Sequence, residues 1–286
     1  MNEESRKTDV IGHKEYICGF GAAFINICVT FPINKIMFRQ MVHGVTVTRA
    51  VTELRKEGLM YLYRGLMPPL MQKTATVSIM FGSYKEYHCS IKENFPEIRP
   101  MTALTISAIL AGMTEALLTP FERVQVLLQD KRFHNEFNNT IHTFKELRKY
   151  GLTEYYRGLT PILIRNALSN VMFFSLREQV KNSFPKADKL WTNSLEDFFT
   201  GAVTGAIIST VFYPVNVIKT KMQCEVGTQF MSMRTAAKYV YQERNRSIRK
   251  IFYGVHINYT RALISWGIIN TSYELLLKLF QHESKL

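Results

Sequence analysis

Two strings of this chain are near copies. ELRKEGLMYLYRGL at residues 53–66 and ELRKYGLTEYYRGL at residues 146–159 agree at ten of fourteen positions, with a constant offset of 93. A repeat of this period constrains the fold more than composition does, because each copy must form one unit and pack on the next. A third copy is weaker: Phe252 and Gly254 hold their places, with Tyr253 where the others have arginine. Proline gives a second ruler. Pro32, Pro120 and Pro214 are spaced 88 and 94 apart, and Gly65, Gly158 and Gly254 are spaced 93 and 96 apart. Two markers keep one period and one order, so the 286 residues divide into units at 1–95, 96–190 and 191–286.

The polarity of each unit indicates the solvent. Residues 16–34 and 198–218 carry no formal charge, and residues 101–121 carry one, Glu115. Crossing a bilayer core takes roughly 20 helical residues. The polar residues inside these runs are Ser, Thr, Asn and Gly, which let membrane helices approach closely. Shorter charge-free runs at 74–84, 166–176 and 262–273 reach spanning length when extended back to Pro68, Pro161 and His256. The reading is an all-α membrane protein with six transmembrane helices, two per unit, and both termini on one side. A set of buried helices in a large soluble protein is the alternative.

The net charge is +13. A basic helical nucleic-acid binder is one class that such a charge suggests. The basic residues cluster between helices, as in ELRK and QERNRSIRK, which suits anionic lipid or an anionic solute. The N-terminal residues have no apolar signal core and no Arg-rich, acid-poor transit character. Cys18, Cys28, Cys89 and Cys224 lack metal-ligand spacing and are read as packing residues or free thiols. No phosphate-binding loop, metal cluster or nucleophile motif occurs, so an enzyme is not expected.

Three tandem two-helix units, each with a proline motif (TFPINKIMFRQ, TPFERVQVLLQ, YPVNVIKTKMQ) and an aromatic-basic-glycine motif, resemble the mitochondrial carrier family over nearly the whole chain. The resemblance implies a pseudo-threefold six-helix barrel with short matrix helices. It implies one central site, alternating access, a location in the mitochondrial inner membrane and a monomer as the default. It places a matrix gate at the prolines. The acidic positions hold Asn34, Glu122 and Asn216, and the basic positions hold Met37, Gln125 and Lys219, so Glu122–Lys219 is the one intact bridge. Gln129 and Gln223 sit where the family braces such bridges. A cytoplasmic gate would use Lys85, Glu178 and Glu274 at its acidic positions and His88, Lys181 and Leu277 at its basic ones; a set of solvated helix-end charges is the alternative, and for Lys85 and His88 the two readings are even.

Gln72, Arg165 and Arg261 each lie seven residues past a marker glycine, followed by Lys73, Asn166 and Ala262. In the family this level is the substrate contact ring. Charges half-way along a membrane helix are expensive and usually functional, although each could instead snorkel to an interface. Glu115 adds one acid, five residues before Pro120. Arginine's planar fork suits phosphate. The segments PPLMQKT, TPFERVQVLLQD, EYYRGLTPILIRNALSNVMFF and NYTRALISWGIIN resemble the animal mitochondrial NAD carriers. That resemblance implies NAD as transported substrate rather than cofactor, with the pyrophosphate on Arg165 and Arg261, charge added by Lys73, and Glu115 meeting the nicotinamide cation or orienting an arginine. Another anionic nucleotide or coenzyme is the alternative substrate. Ser169 and Asn170 are read as packing residues and Trp266 as core or lipid-facing. The family also implies bound cardiolipin at helix starts near Gly65 and Gly158, where backbone N–H groups hold phosphate.

Overall fold

The computed structural model describes residues 3–183 and 204–283, and among these residues there is no β-strand. The long helices are α1 (Glu3–His43), α4 (Met67–Asn94), α5 (Pro100–Glu115), α6 (Thr119–Gln129), α8 (Leu159–Ser183), α9 (described over 204–211), α10 (Tyr213–Gln223) and α13 (Val255–Glu283). Short helices at one end of the molecule are α2 (Val47–Glu57), α3 (Leu59–Leu62), α7 (Thr140–Arg148), α11 (Met233–Glu243) and α12 (Ile248–Ile251).

The marker prolines act in two ways. Pro32 lies inside α1, which runs on unbroken to His43. Pro120 and Pro214 instead stand in the first turn of α6 and α10, where their missing N–H leaves no bond unmade. The chain before them turns through a 3₁₀ segment at Ala116–Leu118 and through Phe212. The sequence leads one to expect the same kink in all three repeats, but only the second and third break the helix.

Among the described residues three stretches are long and apolar enough to cross a membrane: Gly21–His43, Pro100–Gln129 and Leu152–Leu176. The charge-free run at 198–218 lies partly outside the described residues. Helices α4 and α13, of 28 and 29 residues, also exceed the roughly 20 residues that a crossing needs, by length alone. Helix α1 packs on α13, α4 on α5, and α5 on α8, so the last helix returns to the first. The α5–α8 crossing is close. A Cβ on Gly112 would stand 2.7 Å from the Ala167 backbone nitrogen, so only glycine allows it. Among other helix glycines, a Cβ on Gly21 would meet Leu276, whereas Gly205 has nothing within 4 Å.

The ends of α1, α6 and α10 converge. Phe38, Val42, Val126 and Cys224, drawn from all three, form one buried apolar cluster. Three of the short helices, α2, α7 and α11, pack through a buried i,i+4 pair: Ala50 with Leu54, Thr143 with Leu147, and Ala236 with Val240.

Candidate functional site

Glu122 is the focus of the site. It stands in the first turn of α6, where a helix start favours an anion. Lys219 Nζ lies 2.9 Å from its Oε2, and Arg165 Nη2 lies 3.0 Å from its Oε1. Gln72 Nε2 donates to the same Oε1 at 3.2 Å. One carboxylate thus gathers groups from α4, α8 and α10. The Lys219 and Arg165 side chains are 12% and 20% exposed, so the pairs are shielded but within reach of an entering solute.

Arg165 spends its other donors nearby. Nη1 donates to Asn216 Oδ1 at 3.2 Å, and Nε and Nη2 donate to Asn166 Oδ1 at 3.0 and 2.8 Å. Asn166 is buried against the tight α5–α8 crossing, which fixes the guanidinium plane. Glu115 accepts from Asn170 Nδ2 at 2.6 Å, so the buried Asn170 orients the Glu115 carboxylate. Arg261 Nη2 donates to Asn258 Oδ1 at 3.2 Å, and Asn258 in turn donates to Ser209 Oγ at 2.7 Å. The Nε of Arg261 is buried with no acceptor among the described residues. Lys73 is exposed.

Other candidates take different places. Asn34 and Gln125 are half-buried. Gln129 and Gln223 are buried against Gly65 and Gly158. The Nε2 of each, and Oε1 of Gln223, have no hydrogen-bond partner among the described residues, so neither braces the Glu122 pair by hydrogen bonding in this structure. Lys85 is exposed. His88 stacks on Tyr84 and reaches Ser107 Oγ with Nδ1 at 3.4 Å, so its partners are its own helix and α5. Glu178, Lys181 and Glu274 have side chains outside the described residues.

Sequence reasoning missed a further set of ion pairs. Arg39 pairs with Glu53 and Glu57 at 3.1 and 2.5 Å. Arg123 and Arg157 share Glu154 at 2.7 and 2.9 Å, all three nearly inaccessible. Asp130 is held below the usual carboxylate range: burial pushes it up, and the hydrogen bonds and charge of Arg132 outweigh that. Glu57 lies in the copied string, but Glu154 sits four residues further along its own copy, at the place of Tyr61. Comparing letters position by position therefore hides the pairing.

The family model described as "Mitochondrial carrier protein" matches residues 12–95, 97–188 and 190–284. The chain is 46% identical over 266 residues to the mouse mitochondrial nicotinamide adenine dinucleotide transporter SLC25A51, covering 93% of this chain and 89% of that one. It is 45% identical over 281 residues to the human protein of the same name, covering 96% and 94%. It is 33% identical over 268 residues to human solute carrier family 25 member 53, covering 91% and 86%. Three matches end to end, on a helical chain whose proline-bearing helix ends converge, make this protein a member of the mitochondrial carrier family.

Proposed function

We propose that this protein carries NAD across the mitochondrial inner membrane into the matrix, by alternating access at the central site. The observation that carries the reading is the arginine pair. Arg165 and Arg261 come from corresponding points of two repeats, and Arg261 has a buried donor with no acceptor among the described residues. An unpaired buried N–H is costly, and a phosphate oxygen would satisfy it. Lys73 adds positive charge, and Glu115, held by Asn170, offers one anionic point to the nicotinamide cation. The transporters named above, at about 45% identity, support the same substrate.

In this reading the three repeats at 1–95, 96–190 and 191–286 supply six spans around one pathway, in one integral membrane domain acting as a monomer. Glu122 with Lys219 and Arg165 closes the matrix side, helped by Asn34, Gln125, Asn216 and the packing of Gln129 and Gln223. Lys85, His88, Glu178, Lys181 and Glu274 border the opposite mouth. Cardiolipin phosphates are held at the helix starts near Gly65 and Gly158.

The test is uptake of labelled NAD into liposomes carrying the purified chain, beside Arg165→Ala and Arg261→Ala. Saturable uptake lost in both variants is expected. A folded, inserted wild type that takes up none would leave the family standing and exclude NAD as its substrate.

A further inference from the structure

The repeats are tied to one another at the matrix end through main-chain carbonyls. Arg64, of the first aromatic-basic-glycine motif, donates to the carbonyl oxygens of Phe133 and Phe137. Arg157, of the second, donates to those of Thr228 and Gln229. Both acceptor pairs follow the proline-bearing helix of the next repeat. The third motif has Tyr253 in the arginine's place, and its carbonyl accepts from Tyr213 of its own repeat. The seam from the third repeat back to the first therefore lacks its motif arginine.

Another arginine occupies that seam. Arg244 Nη2 donates to the carbonyl oxygens of Gln40 and Met41 at 2.9 and 2.7 Å, and the residue is 6% exposed. These carbonyls belong to the last turn of α1, where orphan acceptors carry partial negative charge and favour a cation. The chain makes room for it. Gly44 has φ +64, and a Cβ there would stand 1.2 Å from Arg244 Nη1.

Three extra residues account for its position. Helices α2, α7 and α11 begin at Val47, Thr140 and Met233, at equal spacing, and their buried pairs keep that register. In this register Arg244 takes the place of Gly58 and Gly151. Those glycines, with φ +94 and +98, turn the chain seven residues before the motif glycine, whereas Arg244 precedes Gly254 by ten. The turn is made instead by Asn245 and Arg246, at φ 54 and 57. That region is unfavourable for a residue with a Cβ and persists only where its surroundings enforce it.

We propose that Arg244 is a positioning residue that replaces the motif arginine missing at Tyr253, closing the seam between the third and first repeats on the matrix side and releasing it when that side opens. The release rests on the transport reading; the closure does not.

Cys224 is a native reporter of this seam, fully buried beside Phe38 and Val42 of α1. The test uses the full chain with Cys18, Cys28 and Cys89 changed to Ser, in permeabilised liposomes, and follows the rate of maleimide labelling of Cys224. A lost hydrogen bond to a charged donor suggests a rise of about tenfold for Arg244→Ala. Gly44→Ala, which displaces the guanidinium, should act in the same direction. Adding Tyr253→Arg to Arg244→Ala should restore slow labelling, which a general loss of packing would not allow. NAD uptake by Arg244→Ala should lose maximal rate and keep KM. If Arg244→Ala does not fold, Gly44→Ala carries the test. Labelling of either variant at the wild-type rate, or failure of Tyr253→Arg to restore slow labelling, would overturn the proposal. Labelling needs no substrate, so a wild type that moves no NAD would sink the transport reading while the labelling result still decides the seam.

Discussion

The centre of the molecule and the rim at its short helices handle charge in different ways. At the centre one carboxylate, Glu122, gathers Lys219, Arg165 and Gln72 from three helices, with the ion-pair partners 12–20% exposed. At the rim the pairs stay mainly within one repeat: Arg123 and Arg157 are sealed with Glu154 at 0–3% exposure, and a buried Arg39 meets Glu53 and Glu57, which are 28% and 11% exposed. Breaking a buried pair by removing one partner leaves an uncompensated charge and costs several kcal/mol. Such pairs suit joints that must persist, and a single reachable carboxylate suits a contact that must break and re-form. In the transport reading proposed above, the sealed pairs keep each repeat intact while the Glu122 contact opens and closes.

The largest effect should come from the rim. Glu154→Ala leaves two buried guanidinium groups without a carboxylate and should destabilise the protein by about 3–5 kcal/mol, seen as a large drop in melting temperature or in folded yield. A melting temperature close to wild type would break the comparison. Next, Arg165→Lys keeps the charge but loses the fork that spans Glu122, Asn216 and Asn166. NAD uptake should fall about tenfold or more with little change in melting temperature. Gln72→Ala removes one neutral donor from Glu122, and a net loss of about 1 kcal/mol should lower uptake about fivefold; an effect equal to that of Arg165→Lys would count against the ordering.

The smallest effect is at the rim and depends on pH. His134 stacks on Tyr61 across the seam between the first two repeats, with ring centroids 4.8 Å apart. Burial, with the charge of Arg64 next, lowers its pKa from 6.5 to about 4. The unfolded chain therefore binds the proton more readily between those values. The stability that neutral His134 contributes is complete above the unfolded pKa and is lost as pH falls toward the folded one. Melting temperatures at about pH 7.5 and about pH 5 should differ less in His134→Phe than in wild type; equal differences would show that another group carries the acid sensitivity.

Much of this was legible in the letters because the repeat fixes register. Pro120, Glu122 and Lys219 sit at motif positions, and Arg165 and Arg261 each follow a motif glycine by seven. The rest depends on displacement from the repeat. Glu154 pairs with Arg123 from a position where the first copy has Tyr61, and Arg244 reaches α1 because three residues are added before its motif glycine. Gln72 is expected in the cavity from its spacing and the family's contact ring, and its amide lies on the Glu122 carboxylate, a matter of rotamer that spacing does not specify. Likewise, the shared proline motif hides that α1 stays continuous while the other two helices break.

The most direct test of the division between centre and rim is the initial rate of labelled NAD uptake by Glu122→Gln, per folded molecule and beside wild type. The account predicts a loss of about tenfold or more, because Lys219 and Arg165 lose their shared anion, while the sealed rim keeps the protein folded. Uptake at the wild-type rate would contradict it, since the closing contact would then lie somewhere other than Glu122.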